Sequence, residues 1–373
     1  GYSVTVYKHS PLDSNSLSNS SIRVLFEDSR GALWIGTDGG LNRYDRDRDA
    51  FVRFTHDPSD TNSLSNNTIA AICEDTPGHF WIGTADGLNR YDVRANRFTR
   101  YHHDSRGARS LSASLVSTIC KDRSGAVWIG TSNGLNEYDA ANDCFVRHLY
   151  GEKNSSRNAI SCLYSDTKGY LWIGYFEDGV KRFDIRSNES VHLRDTPGDR
   201  NSLADQRVLS IIEDDQGKMW FGLFSSLDRY DPATQTFAHY RSDPSDPSSL
   251  SSDRIYSISI DRTGAFWIGT WHGGVNRYDP RKQKFLLYNN VPDNPHSLSN
   301  NDVLALLEDR SGFMWVGTSG GGLNRYDPAT GRFTWYQHNN ADPRTISSDI
   351  VMALCEDRQG NLWVGCSADG GLD

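Results

Sequence analysis

A Trp followed by Ile, Val or Phe and then Gly recurs eight times along the chain, at Trp34, Trp81, Trp128, Trp172, Trp220, Trp267, Trp315 and Trp363. Successive copies lie 44 to 48 residues apart. One unit copied at a fixed period folds as neighbouring copies of one small sheet, because a single unit leaves an apolar face uncovered. A period of this size belongs to the four-stranded blades of a β-propeller. The expected fold is therefore all-β, a β-propeller of eight four-stranded blades. The alternative is seven blades plus an extra unit.

Each period divides into four short apolar runs, A to D, separated by turn residues. In the second copy A is Ile69-Ala70-Ala71-Ile72-Cys73-Glu74 and B is Phe80-Trp81-Ile82-Gly83-Thr84. C is Gly87-Leu88-Asn89-Arg90-Tyr91-Asp92 and D is Arg97-Phe98-Thr99-Arg100-Tyr101. Each is strand length, rich in β-formers and bounded by Gly, Asp, Asn or Ser. No stretch keeps a 3.6-residue apolar period over three turns.

Asp-x-x-Gly separates A from B in every copy, from Asp28/Gly31 to Asp357/Gly360. Asp accepts backbone N–H groups at the start of a turn, and Gly supplies positive φ near its end. Eight identical carboxylates at one spacing are turn residues, not a metal or catalytic ring. Tyr-Asp pairs such as Tyr230-Asp231 end strand C, followed by Pro or a polar pair, and cap the C–D turn. The Asn-Arg before them, as in Asn42-Arg43, is expected to bond between blades. The D-to-A connections, such as His56 to Ser65, are polar, contain Pro and suit a surface bridge.

The run from Tyr2 to Lys8 aligns with strand D, while Ile350 onward supplies A, B and the opening of C. Both ends then belong to one blade, and the N-terminal strand closes it, which removes exposed sheet edges. Residues 1–373 are expected to form a single propeller domain excised from a longer protein.

Hydrophobic residues make up only 36% of the chain, but Trp 10, Tyr 17 and Phe 15 supply large rings for the core. The net charge of -9 argues against a nucleic-acid surface. No apolar run approaches the ~20 residues that cross a bilayer, so no direct membrane contact is expected of this region. The first seven residues are not a signal peptide. Of the six cysteines, Cys73, Cys120 and Cys355 share a repeat position with Phe26, Tyr164, Ile212, Ser259 and Leu307. That marks a packing position for free thiols, not a disulfide or metal framework. No cofactor and no metal ligands are expected.

The B–C loops carry the departures from the repeat. Most are small, as in Thr84-Ala85-Asp86-Gly87. Blade four has Tyr175-Phe176-Glu177-Asp178-Gly179, blade five Leu223-Phe224-Ser225-Ser226 and blade six Thr270-Trp271-His272-Gly273-Gly274. Function concentrates on loops held by a rigid frame. Rigid rings beside carboxylates suit sugars, peptides or a partner protein. Tyr175, Phe176, Glu177, Asp178, Phe224, Trp271 and His272 are therefore the candidate ligand-binding residues, expected to converge on one sector of one face. The same rings could instead pad the channel wall or the seams between blades. The loop entering blade four, Tyr150 to Asn158, also lacks the Ser-Leu-Ser of its siblings. His272 has no nucleophile beside it in the sequence, and no catalytic residue is assigned.

The consensus Asn-Ser-Leu-Ser … Glu-Asp-x-x-Gly-x-Leu-Trp-Ile-Gly-Thr-x-x-Gly-Leu-Asn-Arg-Tyr-Asp resembles the two-component regulator propeller repeat, most closely at residues 33–45, 80–92 and 314–327. The resemblance covers essentially the whole chain. It implies the periplasmic or extracytoplasmic sensor region of a membrane-bound bacterial histidine kinase, often a hybrid one, with signal transduction through parts beyond this region. The implied function is a ligand-sensing or interaction module, non-catalytic by itself. Its partner would be a small-molecule or oligosaccharide ligand, or a protein, with possible homodimerisation through the parent's other regions. A protein–protein interaction scaffold and a propeller lyase or glycosidase are the alternatives.

Overall fold

The computed structural model describes residues 4–148, 156–246, 248–280, 284–367 and 370–373. The start of the first strand D (Tyr2, Ser3) and most of the loop entering blade four (Tyr150 to Ser155) lie outside the described residues. The chain divides into two units, one of residues 26–211 and one of residues 1–25 with 212–373.

The architecture is an all-β propeller. Seven antiparallel sheets have four strands each in sequential order, over residues 22–54, 69–101, 116–148, 160–193, 208–240, 255–288 and 303–336. These are seven complete blades, the count of the alternative reading. The eighth repeat forms a two-stranded sheet, Val351–Glu356 with Leu362–Cys366. Single bridges extend it, from Gly365 to Leu372 and from Leu372 to Tyr7. Tyr7 and Leu372 exchange both backbone hydrogen bonds, at 2.8 and 3.0 Å. The two ends of the chain thus pair, through single bridges rather than a full strand among the described residues.

The Asp of each A–B turn does two jobs. In blade three, Asp122 Oδ1 accepts the N–H groups of Ser124 (2.8 Å) and Ala126 (3.0 Å), while Oδ2 accepts the Trp128 indole N–H at 2.7 Å. The same indole bond joins Asp28 to Trp34, Asp166 to Trp172, Asp214 to Trp220, Asp261 to Trp267, Asp309 to Trp315 and Asp357 to Trp363. Each Trp is nearly or fully buried, so its polar edge needs such an acceptor.

Blade two is different. Its turn has the same Asp and Gly, but the residue whose N–H should reach the Asp is Pro77, which has none. Strand A runs on to Thr76, which pairs with His79 across a two-residue Pro77-Gly78 loop, with Gly78 at φ +91°. Asp75 turns instead to Arg90 (3.7 Å) and Lys121 (3.6 Å). The buried Trp81 indole N–H has no acceptor among the described residues.

The Gly two places after the Trp makes room for the next blade at Gly83, Gly130, Gly317 and Gly365. A Cβ on Gly83 would lie 2.5 Å from Val116 Cγ1, and one on Gly130 would lie 2.7 Å from Ile160 Cγ2. Gly317 faces Val351 and Gly365 faces Ile22 in the same way, at 2.7 Å each. The first residue of one blade's strand A thus locks onto strand B of the blade before it. Fully buried Leu64 and Leu111 of the D–A connections add to these seams.

The repeated Asn of strand C corrects an expectation. Asn89 bonds within its own blade and to the connection entering it. Its Oδ1 accepts from Ser65 N (2.8 Å), and its Nδ2 donates to Ser65 Oγ (2.9 Å) and the Ile82 carbonyl (3.3 Å). The following Arg does cross between blades: Arg90 donates to the Tyr138 hydroxyl at 3.1 Å. The Tyr-Asp pairs cap the C–D turns as expected. Asp92 Oδ1 accepts Arg94 N at 2.8 Å, and the Tyr91 hydroxyl donates to Asn96 at 2.8 Å.

No disulfide joins any of the six cysteines. Burial pushes the Cys73 and Cys120 thiols up to about 11 and the Cys162 thiol up to about 12. They stay protonated at neutral pH, and a protonated thiol is a poor nucleophile.

Candidate ligand-binding site

The seven candidate residues fall into two groups, one in each unit. In residues 26–211, Tyr175 is the last residue of strand B, Tyr170–Tyr175, at the position where siblings place buried Thr84 or Thr131. It is 1% exposed. The expectation that it offers a ring to a ligand is corrected: a strand-end position points into the sheet packing, not onto the loop. Phe176 and Glu177, the next two residues, are exposed. Asp178 is buried, and Arg194 holds its carboxylate at 2.7 Å. His192 donates its Nε2 proton to the Asp178 carbonyl at 2.6 Å.

Lys181, a residue the sequence analysis passed over, completes this group. It replaces the repeated Asn of strand C and sits opposite His192 in the sheet, where blades two and three pair Asn with Arg100 or Arg147. Its ammonium lies 5.3 Å from the centre of the Tyr175 ring. Burial pushes its pKa down to about 8 and also lowers that of His192. The signal was in the repeat itself, since a Lys at an Asn position departs from it as clearly as any loop residue.

The sign of the pH effect follows from linkage. An unfolded Lys keeps its proton up to about pH 10.4, so between pH 8 and that value the unfolded chain holds the extra proton. Burial of Lys181 therefore costs stability in full below pH 8, and the cost fades as pH rises towards 10.4. Replacing Lys181 with Asn, the sibling residue, is expected to stabilise the fold at pH 7. In urea titrations of both proteins the gain should shrink by pH 10. A gain that stays constant with pH would show that the ammonium is not the cause.

In the second unit the B–C loop residues of blades five and six lie close together. The Arg254 guanidinium lies over the Phe224 ring, 3.9 Å from its centre. The Arg254 carbonyl accepts the Trp271 backbone N–H at 3.1 Å. Trp271 stacks on Tyr256, with centroids 5.2 Å apart and planes 28° from parallel. Tyr256, the second residue of strand A, is 38% exposed and was not among the residues singled out from the sequence. His272 projects outward, its side chain 73% exposed, with Nδ1 2.8 Å from Asp302. It holds φ +63° in a loop where blade seven has Gly320 at φ +111°. A left-handed His costs on the order of 1 kcal/mol where Gly would cost less. Phe224, Trp271 and His272 thus form one partly exposed patch of rings, with Arg254 and Tyr256 added. Among the described residues no cluster of His, Cys, Asp or Glu could hold a metal ion, and no helix is long and apolar enough to cross a membrane.

A family model described as two component regulator propeller matches residues 16–39, 63–86, 110–133, 202–225, 249–272, 297–320 and 345–368. The blade-four segment that carries Tyr175 to Asp178 is not among the seven. No curated protein matches the chain. Among solved structures, the chain is similar to the extracellular domain of a protein described as a hybrid two component system from B. thetaiotaomicron. Identity is 20% and the TM-score 0.57, over 97% of this chain and 52% of that one. It is also similar to PorZ, a surface component of the type-IX secretion system of Porphyromonas gingivalis, at 17% identity and TM-score 0.59, over 87% and 48% of the two chains. Virginiamycin B lyase from Staphylococcus aureus shares the fold at 13% identity and TM-score 0.53, over 84% and 94%. The chain spans about half the length of the first two structures. These likenesses carry the fold and not a shared activity.

Proposed function

Because the chain belongs to the two component regulator propeller family, we propose that it is the extracytoplasmic sensing module of a bacterial two-component receptor. It binds a small molecule or oligosaccharide and passes the signal to an output region outside this chain, in the sensor histidine kinase reading the output of a kinase. The observation that supports this is the patch of Phe224, Arg254, Tyr256, Trp271 and His272, in which Phe224 and Trp271 stand where blades two, three and seven carry Ala85, Ser132 and Ser319. Phe176 and Glu177 present a second exposed pair on the corresponding loop of blade four.

A ligand that binds only the folded state raises its stability, by about 2.7 kcal/mol at a hundred times its Kd. A thermal-shift screen of the purified chain against mono- and oligosaccharides and small metabolites is expected to yield compounds that raise the melting temperature. Replacing Trp271 with Ala should abolish that rise without lowering the melting temperature of the free protein. An empty screen across all classes would refute ligand sensing and favour the protein-interaction scaffold.

A further inference from the structure

The side chain of Arg254 makes no hydrogen bond and no ion pair among the described residues. Arginines elsewhere in the chain are engaged: Arg194 by Asp178, Arg207 by Asp205, Arg277 by Asp261, and Arg262 by Glu308. Only one other blade has an Arg at this position, Arg207, and Asp205 holds that one; the remaining blades have Ser21, Thr68, Leu115, Ala159, Asp302 and Ile350. Arg254 is half-buried, and its guanidinium carbon lies over the Phe224 ring, 3.9 Å from the centre. That contact holds the guanidinium but satisfies none of its five N–H donors. An acidic group in the same patch, Asp302, is already used: its Oδ1 accepts the backbone N–H of His272 (2.6 Å) and lies 2.8 Å from His272 Nδ1.

A planar guanidinium held against a ring loses little further freedom on binding, and its geometry matches a carboxylate through two parallel hydrogen bonds. Next to it, across one backbone hydrogen bond, stand the stacked rings of Trp271 and Tyr256. Arg254 offers charge and Trp271 offers a flat apolar face.

We propose that this site takes a ligand carrying a carboxylate on a ring, the carboxylate paired with Arg254 and the ring face laid against Trp271 and Tyr256. This rests on the sensing reading and sharpens it to acidic ligands. Two sources share that chemistry, a uronate sugar and an aromatic acid.

Matched pairs test it: methyl β-D-glucuronide against methyl β-D-glucoside, and indole-3-acetate against indole-3-acetamide. Each pair keeps the ring and removes the charge. Binding is measured by calorimetry or ligand-observed NMR, with wild type and with Arg254→Gln, whose melting temperature serves as the fold control. In at least one pair the acid is expected to bind about tenfold or more tightly than its neutral partner. The pair that shows this identifies the source. In R254Q that advantage disappears, while the neutral ligand binds as before. An acid that binds no better than its neutral partner in both pairs, or an advantage that survives in R254Q, overturns the inference and leaves the sensing reading standing. Failure of all four compounds to bind wild type overturns the inference, whereas the sensing reading falls only with the wider screen.

Discussion

Replacing Asp122 with Ala is expected to destabilise the protein by about 3 kcal/mol or more, whereas the same change at Asp75 should cost less than about 1 kcal/mol. Asp122 satisfies two turn N–H groups and the buried Trp128 indole. Each buried donor left without an acceptor costs about 1–3 kcal/mol. Asp75 occupies the same place in the repeat but has lost that role, because Pro77 supplies no N–H and the Trp81 indole is already without an acceptor. What Asp75 retains is a pair of long, partly exposed contacts to Arg90 and Lys121, which contribute little. Urea unfolding followed by Trp fluorescence measures both variants. Equal losses would mean that the turn carboxylate acts by some means other than holding the indole.

The second large effect comes from the seam between blades. Gly83→Ala places a methyl group 2.5 Å from Val116 Cγ1, well inside contact distance. Strands on both sides are pinned by their ladders, so overpacking is expected to cost about 1–3 kcal/mol. Removing the obstacle should recover much of it. In the double variant with Val116→Ala the nearest remaining atom is the residue-116 Cβ at 3.2 Å. The two changes should therefore be strongly non-additive in a double-mutant cycle. Additive losses would show that the glycine serves its own backbone and not the neighbouring blade.

Most of the frame was legible because the same physics is written eight times. The strands of the second copy appear where the runs placed them, with Gly87–Asp92 and Arg97–Tyr101 unchanged. Strand A runs longer, to Thr76, and strand B starts one residue earlier, at His79, because Pro77 alters the turn chemistry. That change was readable in the residues, since a turn that relies on an N–H cannot form at Pro.

The candidate site was legible only in part. Trp271, His272 and Phe224 stood out as large side chains in loops of small ones, and they do lie on a partly exposed patch. Tyr175 stood out for the same reason but sits one residue earlier, in the buried last position of strand B. A one-residue difference in a strand reverses the face a side chain meets. Asp178, Lys181, His192 and Arg194 form a cluster that period-counting within loops could not reveal, because its members come from two strands, the loop before one and the connection after the other. Arg254 and Tyr256 were missed because an Arg and a Tyr at the mouth of a strand look ordinary until their contacts are known.

We propose that repeated residues build the frame and unrepeated loop residues recognise a ligand; a consensus-loop graft tests this division most directly. Phe224 is replaced with Ser, and Trp271-His272 with the Ser-Gly pair found at Ser319-Gly320 of blade seven. The melting temperature and urea m-value should match those of wild type, while the melting-temperature rise given by any ligand from the screen should vanish. A grafted protein that fails to fold, or one that folds and still responds to the ligand, would contradict the account.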